Sequence, residues 1–140
     1  MVQIEKMLIN DLDNIKNILA TDFDDFWGYD LFKGELENPR SKYIVAKDNS
    51  EIVGFAGIWD SSDDIHITNI VVKKSSRRNG IANLLLEKLI EITNGKILTL
   101  EVNENNIVAQ HLYEKYNFKK LGFRRNYYKS DSAIIMTRKD

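Results

Sequence analysis

The chain has no cysteine, a single proline and no long apolar stretch. Without cysteine there is no disulfide, no thiol nucleophile, no iron–sulfur cluster and no thiolate zinc site. Pro39 stands alone, and no repeat or low-complexity segment marks a linker, so residues 1–140 read as one domain. The longest apolar runs, Tyr43 to Ala46 and Ala133 to Met136, are four residues each, against the roughly 20 that cross a bilayer. Glu5, Asp11 and Asp13 stand where a secretory signal would place a basic start and an apolar stretch. No membrane partner is expected, and the cytoplasm is the simplest compartment. The two histidines, His66 and His111, would need carboxylate help to hold a metal. Both read as surface residues, and no metal is expected.

What is present is an ordinary globular composition, 43% hydrophobic and 29% charged, which excludes a disordered chain or a fibre. The net charge of −1 conceals an asymmetry. Residues 1–72 carry 6 basic and 14 acidic side chains, net −8, whereas residues 73–140 carry 14 and 7, net +7. Such a chain could seat a polyanionic ligand on its basic part and a cationic one on its acidic part; scattered solvated charge gives the same count.

Periodicity sets out the elements. Val2 and Ile4 alternate with polar residues in an opening strand. Asn10 or Asp11 caps a helix carrying Leu12, Ile15, Ile18 and Leu19, and a second helix over 29–36 must stop before Pro39. Strands over 42–47 and 51–59 flank the turn Asp48-Asn49-Ser50, and a third covers 64–72 with its alternation broken near Asn69. Residues 80–93 form the strongest helix, with Ile81, Leu84, Leu85, Leu89 and Ile92 on one face and Asn94-Gly95 ending it. A strand over 96–102, a helix capped by Asn105 or Asn106 and running to about Tyr116, and a hairpin of strands over 118–124 and 133–139 complete the chain. Trp27 and Trp59 read as core residues. The order β-α-α-β-β-β-α-β-α-β-β gives an α/β fold, a mixed sheet with helices on both faces and a locally parallel pair around the strong helix.

Between the third strand of that run and the strong helix lies Lys73-Lys74-Ser75-Ser76-Arg77-Arg78-Asn79-Gly80-Ile81-Ala82. A helix N-terminus offers unpaired N–H groups and about half a positive charge. Small residues at 80 and 82 let a phosphate approach the backbone, and basic residues before them add field of the right sign. The segment is neither a Walker loop nor a Gly-x-Gly-x-x-Gly fingerprint. A basic loop opening a helix has the same composition.

Arg77-Arg78-Asn79-Gly80-Ile81-Ala82, preceded by the strand residues Asn69-Ile70-Val71-Val72, resembles the Arg/Gln-x-x-Gly-x-Gly/Ala signature of the GCN5-related N-acetyltransferases. The element order is similar to that fold over essentially the whole chain. Downstream, Leu100-Glu101-Val102, Asn106, Leu112-Tyr113-Glu114, Phe118 and Arg124-Arg125-Asn126-Tyr127-Tyr128 resemble the bacterial ribosomal-protein alanine N-acetyltransferases. Lys74 replaces the proline usual after the strand, and Phe26-Trp27 replaces an early Pro-Trp.

The resemblance implies acetyl-CoA as co-substrate. Its pyrophosphate would lie on Arg77, Arg78, Asn79, Gly80, Ile81, Ala82 and Asn83, its pantetheine arm along Ile70, Val71 and Val72, with a further contact at Asn106. An amine acceptor must be deprotonated, since its reference pKa lies near ~8; Glu101 is the candidate base and Tyr113 the candidate acid for the departing thiolate. An exposed strand carboxylate and a packing tyrosine are the plainer readings of these two residues. A backbone N–H of Ile70 to Val72 would hold the oxyanion. With no nucleophile required, transfer is direct in a ternary complex. The expected acceptor is the N-terminal amine of a small-subunit ribosomal protein. The alternatives are a small amine or lysine acceptor, or a CoA-binding module without turnover. No nucleic-acid partner is expected, because the basic loop lacks interleaved aromatics.

Overall fold

The computed structural model describes residues 1–23, 28–128 and 131–139, with backbone alone at 126–128. Phe26, Trp27 and the side chains of Asn126, Tyr127 and Tyr128 therefore lie outside the described residues. The elements are β1 (Val2–Lys6), α1 (Ile9–Ile15), α2 (Leu19–Asp22), α3 (Tyr29–Glu37), β2 (Ser41–Asp48), β3 (Glu51–Asp60), β4 (Ile65–Val72), α4 (Ile81–Thr93), β5 (Leu98–Asn103), α5 (Ile107–Lys115), β6 (Lys119–Tyr128) and β7 (Asp131–Arg138), with a 3₁₀ turn at Lys74–Ser76. The strands make one mixed sheet in the order β1-β2-β3-β4-β5-β7-β6, so this is the α/β fold expected. Contacts group the chain into two compact units, Met1–Trp59 with Thr68–Ile92 and Asp60–Ile67 with Thr93–Asp140.

The first unit is held by an aromatic and aliphatic core. Phe32 meets Tyr43 and Phe55 at ring-centroid distances of 5.2 and 5.1 Å, and Phe23 meets Phe55 at 5.5 Å. Met7, Leu12, Ile15, Leu19, Val45 and Ile52 fill the space around them. Each such side chain contributes roughly 1.5–3 kcal/mol on burial. Packing here overrides the expected single helix. Ile18 leaves helical geometry (φ −122°, ψ 9°), and the short α2 that follows carries Leu19 into the core just ahead of Phe23. The helix also starts earlier than the caps suggested. Leu8 stands at the cap position, and Asp11, inside the first turn, accepts the Leu8 N–H on Oδ2 at 2.8 Å.

On α4 the buried stripe is Ile81, Leu85, Leu86, Leu89 and Thr93, whereas Leu84 and Ile92 are exposed. The inward face is thus rotated from the expected one: Thr93 continues the 81–85–89 line, Leu86 widens it on one side, Leu84 lies outside it on the other, and Ile92 is exposed in the last turn. Trp59 is half-buried rather than core, with the Arg40 guanidinium 5.8 Å from its ring.

The second unit is built on β5. Leu98, Leu100 and Val102 are buried while Thr99, Glu101 and Asn103 alternate to the other face. β5 pairs in parallel with β4 at Ile65–Leu98 and His66–Thr99, and antiparallel with β7 along its whole length. β7 therefore lies between β5 and β6, with β6 at the edge.

Candidate active site

The candidate residues divide between the units: Ile70 to Asn83 belong to the first, and Glu101, Asn106 and Tyr113 to the second. In the first, the segment after β4 is fixed to its surroundings by its own backbone. Lys73 donates its N–H to the Val53 carbonyl at 2.8 Å and its ammonium to Glu51 at 3.1 Å, so its charge is already paired. Arg77 Nε donates to the Val72 carbonyl at 3.2 Å, and Asn79 Nδ2 to the Ser76 carbonyl at 3.2 Å. Two residues of the loop, on either side of Asn79, take left-handed backbone, Arg78 at φ +69° and Gly80 at φ +76°. Gly80 is then the residue before α4, and its carbonyl accepts the Leu84 N–H at 3.2 Å. The amides opening α4 have no carbonyl one turn behind them. A Cβ at Gly80 would meet no atom within 4 Å, so no protein atom crowds the turn that leads into these amides, and free amides at a helix start suit an anion. That geometry fits a phosphate.

A residue that sequence reasoning passed over sets the depth of this loop. Gly54 lies on β3, and a Cβ there would stand 2.9 Å from the Val71 carbonyl oxygen and 3.2 Å from side-chain carbons of both Ile81 and Leu85. The missing side chain lets β4 and the start of α4 close onto β3. A glycine inside an apolar strand is the signal that could have found it.

In the second unit, Glu101 stands on β5 with its side chain 11% exposed. Its Oε1 lies 3.4 Å from Arg124 Nη2, and its Oε2 is buried with no hydrogen-bond partner among the described residues. Asn69 Oδ1 on β4 is in the same condition. Asn106 caps α5, its Oδ1 accepting the Ala109 N–H at 3.1 Å, and the residue is exposed. Gln110, buried on α5, donates Nε2 to the carbonyls of Asn103 and Glu104 at 3.2 and 2.9 Å. It ties α5 to the end of β5 and so fixes the helix carrying Tyr113 relative to the strand carrying Glu101. No sequence pattern announced it. Tyr113 is half-buried, its ring 5.7 Å from that of Phe118, and its carbonyl accepts the N–H groups of Tyr116 and Phe118 at 3.0 Å. Packing and catalysis are both open to such a ring. His111 is exposed and His66 half-buried. Among the described residues no three histidine or acidic side chains gather as metal ligands, and no helix is long and apolar enough to cross a membrane.

Comparison with known proteins bears on the same segments. Residues 11–118 match the model of the acetyltransferase (GNAT) family. A putative [ribosomal protein bS18]-alanine N-acetyltransferase of Bacillus subtilis is 35% identical, over 95% of this chain and 92% of that protein. The [ribosomal protein bS18]-alanine N-acetyltransferase of Salmonella typhimurium is 40% identical over 79% of this chain and 78% of its own. Among solved structures, the ribosomal-protein-S18-alanine N-acetyltransferase from Escherichia coli superposes with a TM-score of 0.89 at 29% identity, covering 99% of this chain and 94% of the other. The left-handed glycine loop, the strand leading into it and these likenesses along nearly the full length agree: the chain belongs to the acetyltransferase (GNAT) family.

Proposed function

We propose that residues 1–140 act as one domain that moves the acetyl group of acetyl-CoA to the N-terminal α-amine of a protein, the narrowest form being the N-terminal alanine of a small-subunit ribosomal protein in the cytoplasm. The observation that carries the cofactor half is the left-handed Gly80 turn, which opens α4 with no protein atom within 4 Å of the glycine's Cβ position. The substrate half rests on the relatives named for alanine acetylation.

In this reading the backbone of Ile70, Val71 and Val72 pairs with the pantetheine arm, and an N–H of that strand receives the carbonyl oxygen as it gains charge. Arg77, Arg78, Asn79, Gly80, Ile81, Ala82 and Asn83 hold the pyrophosphate, with Asn106 a further contact. Glu101 accepts the amine proton, directly or through water. The freed electron pair attacks the thioester carbon, the carbon–sulfur bond breaks, and Tyr113 protonates the departing thiolate. The acidic first half of the chain suits a basic protein tail.

The test is mass spectrometry of N-terminal peptides incubated with acetyl-CoA and the pure protein. Acetylation of the α-amine of an alanine-initiated peptide is the expected result; product only on lysine side chains or small amines overturns it.

A further inference from the structure

The Glu101 carboxylate is asymmetric, and the asymmetry has a visible origin. Glu101 on β5 faces Ile135 on β7, and Ile135 faces Gly122 on β6, so these three share a row and a face of the sheet. One row along, Asn103, Ala133 and Arg124 repeat the arrangement. Strands lie roughly 4.8 Å apart, so β6 runs about 10 Å from β5. A β6 side chain reaches Glu101 only by crossing β7. Ala133 offers one carbon to cross, and Gly122 offers no side chain to block the way. Arg124 takes that diagonal and brings Nη2 to 3.4 Å from Oε1. Its own side chain stays 59% exposed, so burial of Arg124 is not what the contact achieves. It reaches the one oxygen of Glu101 that has a described partner, and Oε2 remains buried without one.

We propose that Arg124 is a positioning residue: by taking up Oε1 it fixes the Glu101 carboxylate so that Oε2 is the oxygen that accepts the proton of the acceptor amine or of the water relaying it. The inference rests on Glu101 being the base. In the step, the N–H bond breaks with its electron pair left on nitrogen, and the proton passes to Oε2. Arg124 neither gains nor loses a proton. A guanidinium suits the task because it stays charged and its planar fork holds one orientation.

The experiment measures steady-state kinetics on an alanine-initiated peptide for Arg124→Gln, Arg124→Lys, Glu101→Gln and the double variant Arg124→Gln/Glu101→Gln, with thermal melting of each. Arg124→Gln is expected to lower kcat by roughly 10- to 100-fold, the usual scale for a misaimed catalytic group. The KM for acetyl-CoA and the melting temperature should not change, and Arg124→Lys should recover part of kcat. In the Glu101→Gln background the same substitution should cost nothing further, because there is no base left to aim. Equal cost in both backgrounds overturns the proposal, as does a raised peptide KM with kcat intact, which would make Arg124 a peptide contact. Should Glu101→Gln itself leave kcat unchanged, the base assignment fails. A full-rate Arg124→Gln beside a slow Glu101→Gln removes Arg124 alone.

Discussion

Gly57 and Tyr43 face each other across β2 and β3, and the Tyr43 ring lies over the glycine where a Cβ would otherwise stand. The ring keeps this place while packing on Phe32 and sharing a hydrogen bond between its hydroxyl and Thr68 Oγ1 at 3.3 Å.

Gly57→Ala should therefore force Tyr43 out of its position and cost about 1–3 kcal/mol. Gly34, within α3, has nothing within 4 Å of a Cβ, so Gly34→Ala should stabilise by about 0.5–1 kcal/mol through helix propensity. Urea denaturation of the two variants checks the pair, and a neutral Gly57→Ala would show that the ring yields freely.

At Gly80 two costs separate. The left-handed φ makes any side chain strained by about 1–2 kcal/mol, so Gly80→Ala should melt somewhat earlier. Since no protein atom meets the new carbon, further loss must come from the ligand. Calorimetry should show acetyl-CoA affinity falling at least tenfold in protein that remains folded. Unchanged affinity would mean that the phosphate does not occupy this space.

Lys47 donates to Asp11 Oδ1 at 2.9 Å and Glu5 Oε2 at 3.1 Å. The hydrogen bond to Asp11, then that to Glu5, raises its pKa above the ordinary 10.5. With the folded value above the unfolded one, the stabilisation is complete below pH 10.5 and fades as pH rises through the folded value. Lys47→Met should destabilise at neutral pH, leaving the buried Asp11 carboxylate without its cation, and should remove this part of the alkaline loss. Melting temperatures between pH 7 and about pH 11 give the comparison; parallel curves for the two proteins would remove Lys47 as the source.

Glu101→Gln should slow turnover sharply at neutral pH and recover in part at high pH, where the peptide amine arrives neutral. Tyr113→Phe should lower kcat by roughly 10²–10⁴-fold with no alkaline recovery, since a basic medium supplies no proton. Equal recovery of both variants would break the division of roles. Early melting or lost acetyl-CoA affinity in Tyr113→Phe would make that ring, already packed on Phe118, a structural one.

What the amino-acid order revealed was local. The loop from Arg77 to Ala82 and the strand before it are contiguous, and the strong helix follows from spacing alone. Its rotated inward face was not legible, because Leu84 and Leu86 are equivalent in sequence and only the surface they meet distinguishes them. The Arg124–Glu101 contact was hidden for a different reason. A hairpin of β6 and β7 could be read from the end of the chain, but that β7 is the strand beside β5 depends on pairing between distant segments. Gln110 and Gly57 likewise act through partners that no short-range pattern names.

Position 54 makes the loop from Arg77 to Ala82 less portable than its contiguous signature suggests. A graft of residues 73–83 into another scaffold would bring the signature but not the bare stretch of β3 on which Val71 and the first turn of α4 are seated. In the recipient, any strand residue larger than glycine would lift that seat, and the transplanted turn would sit proud of the sheet. Transferring the loop means transferring a hole in the neighbouring strand along with it.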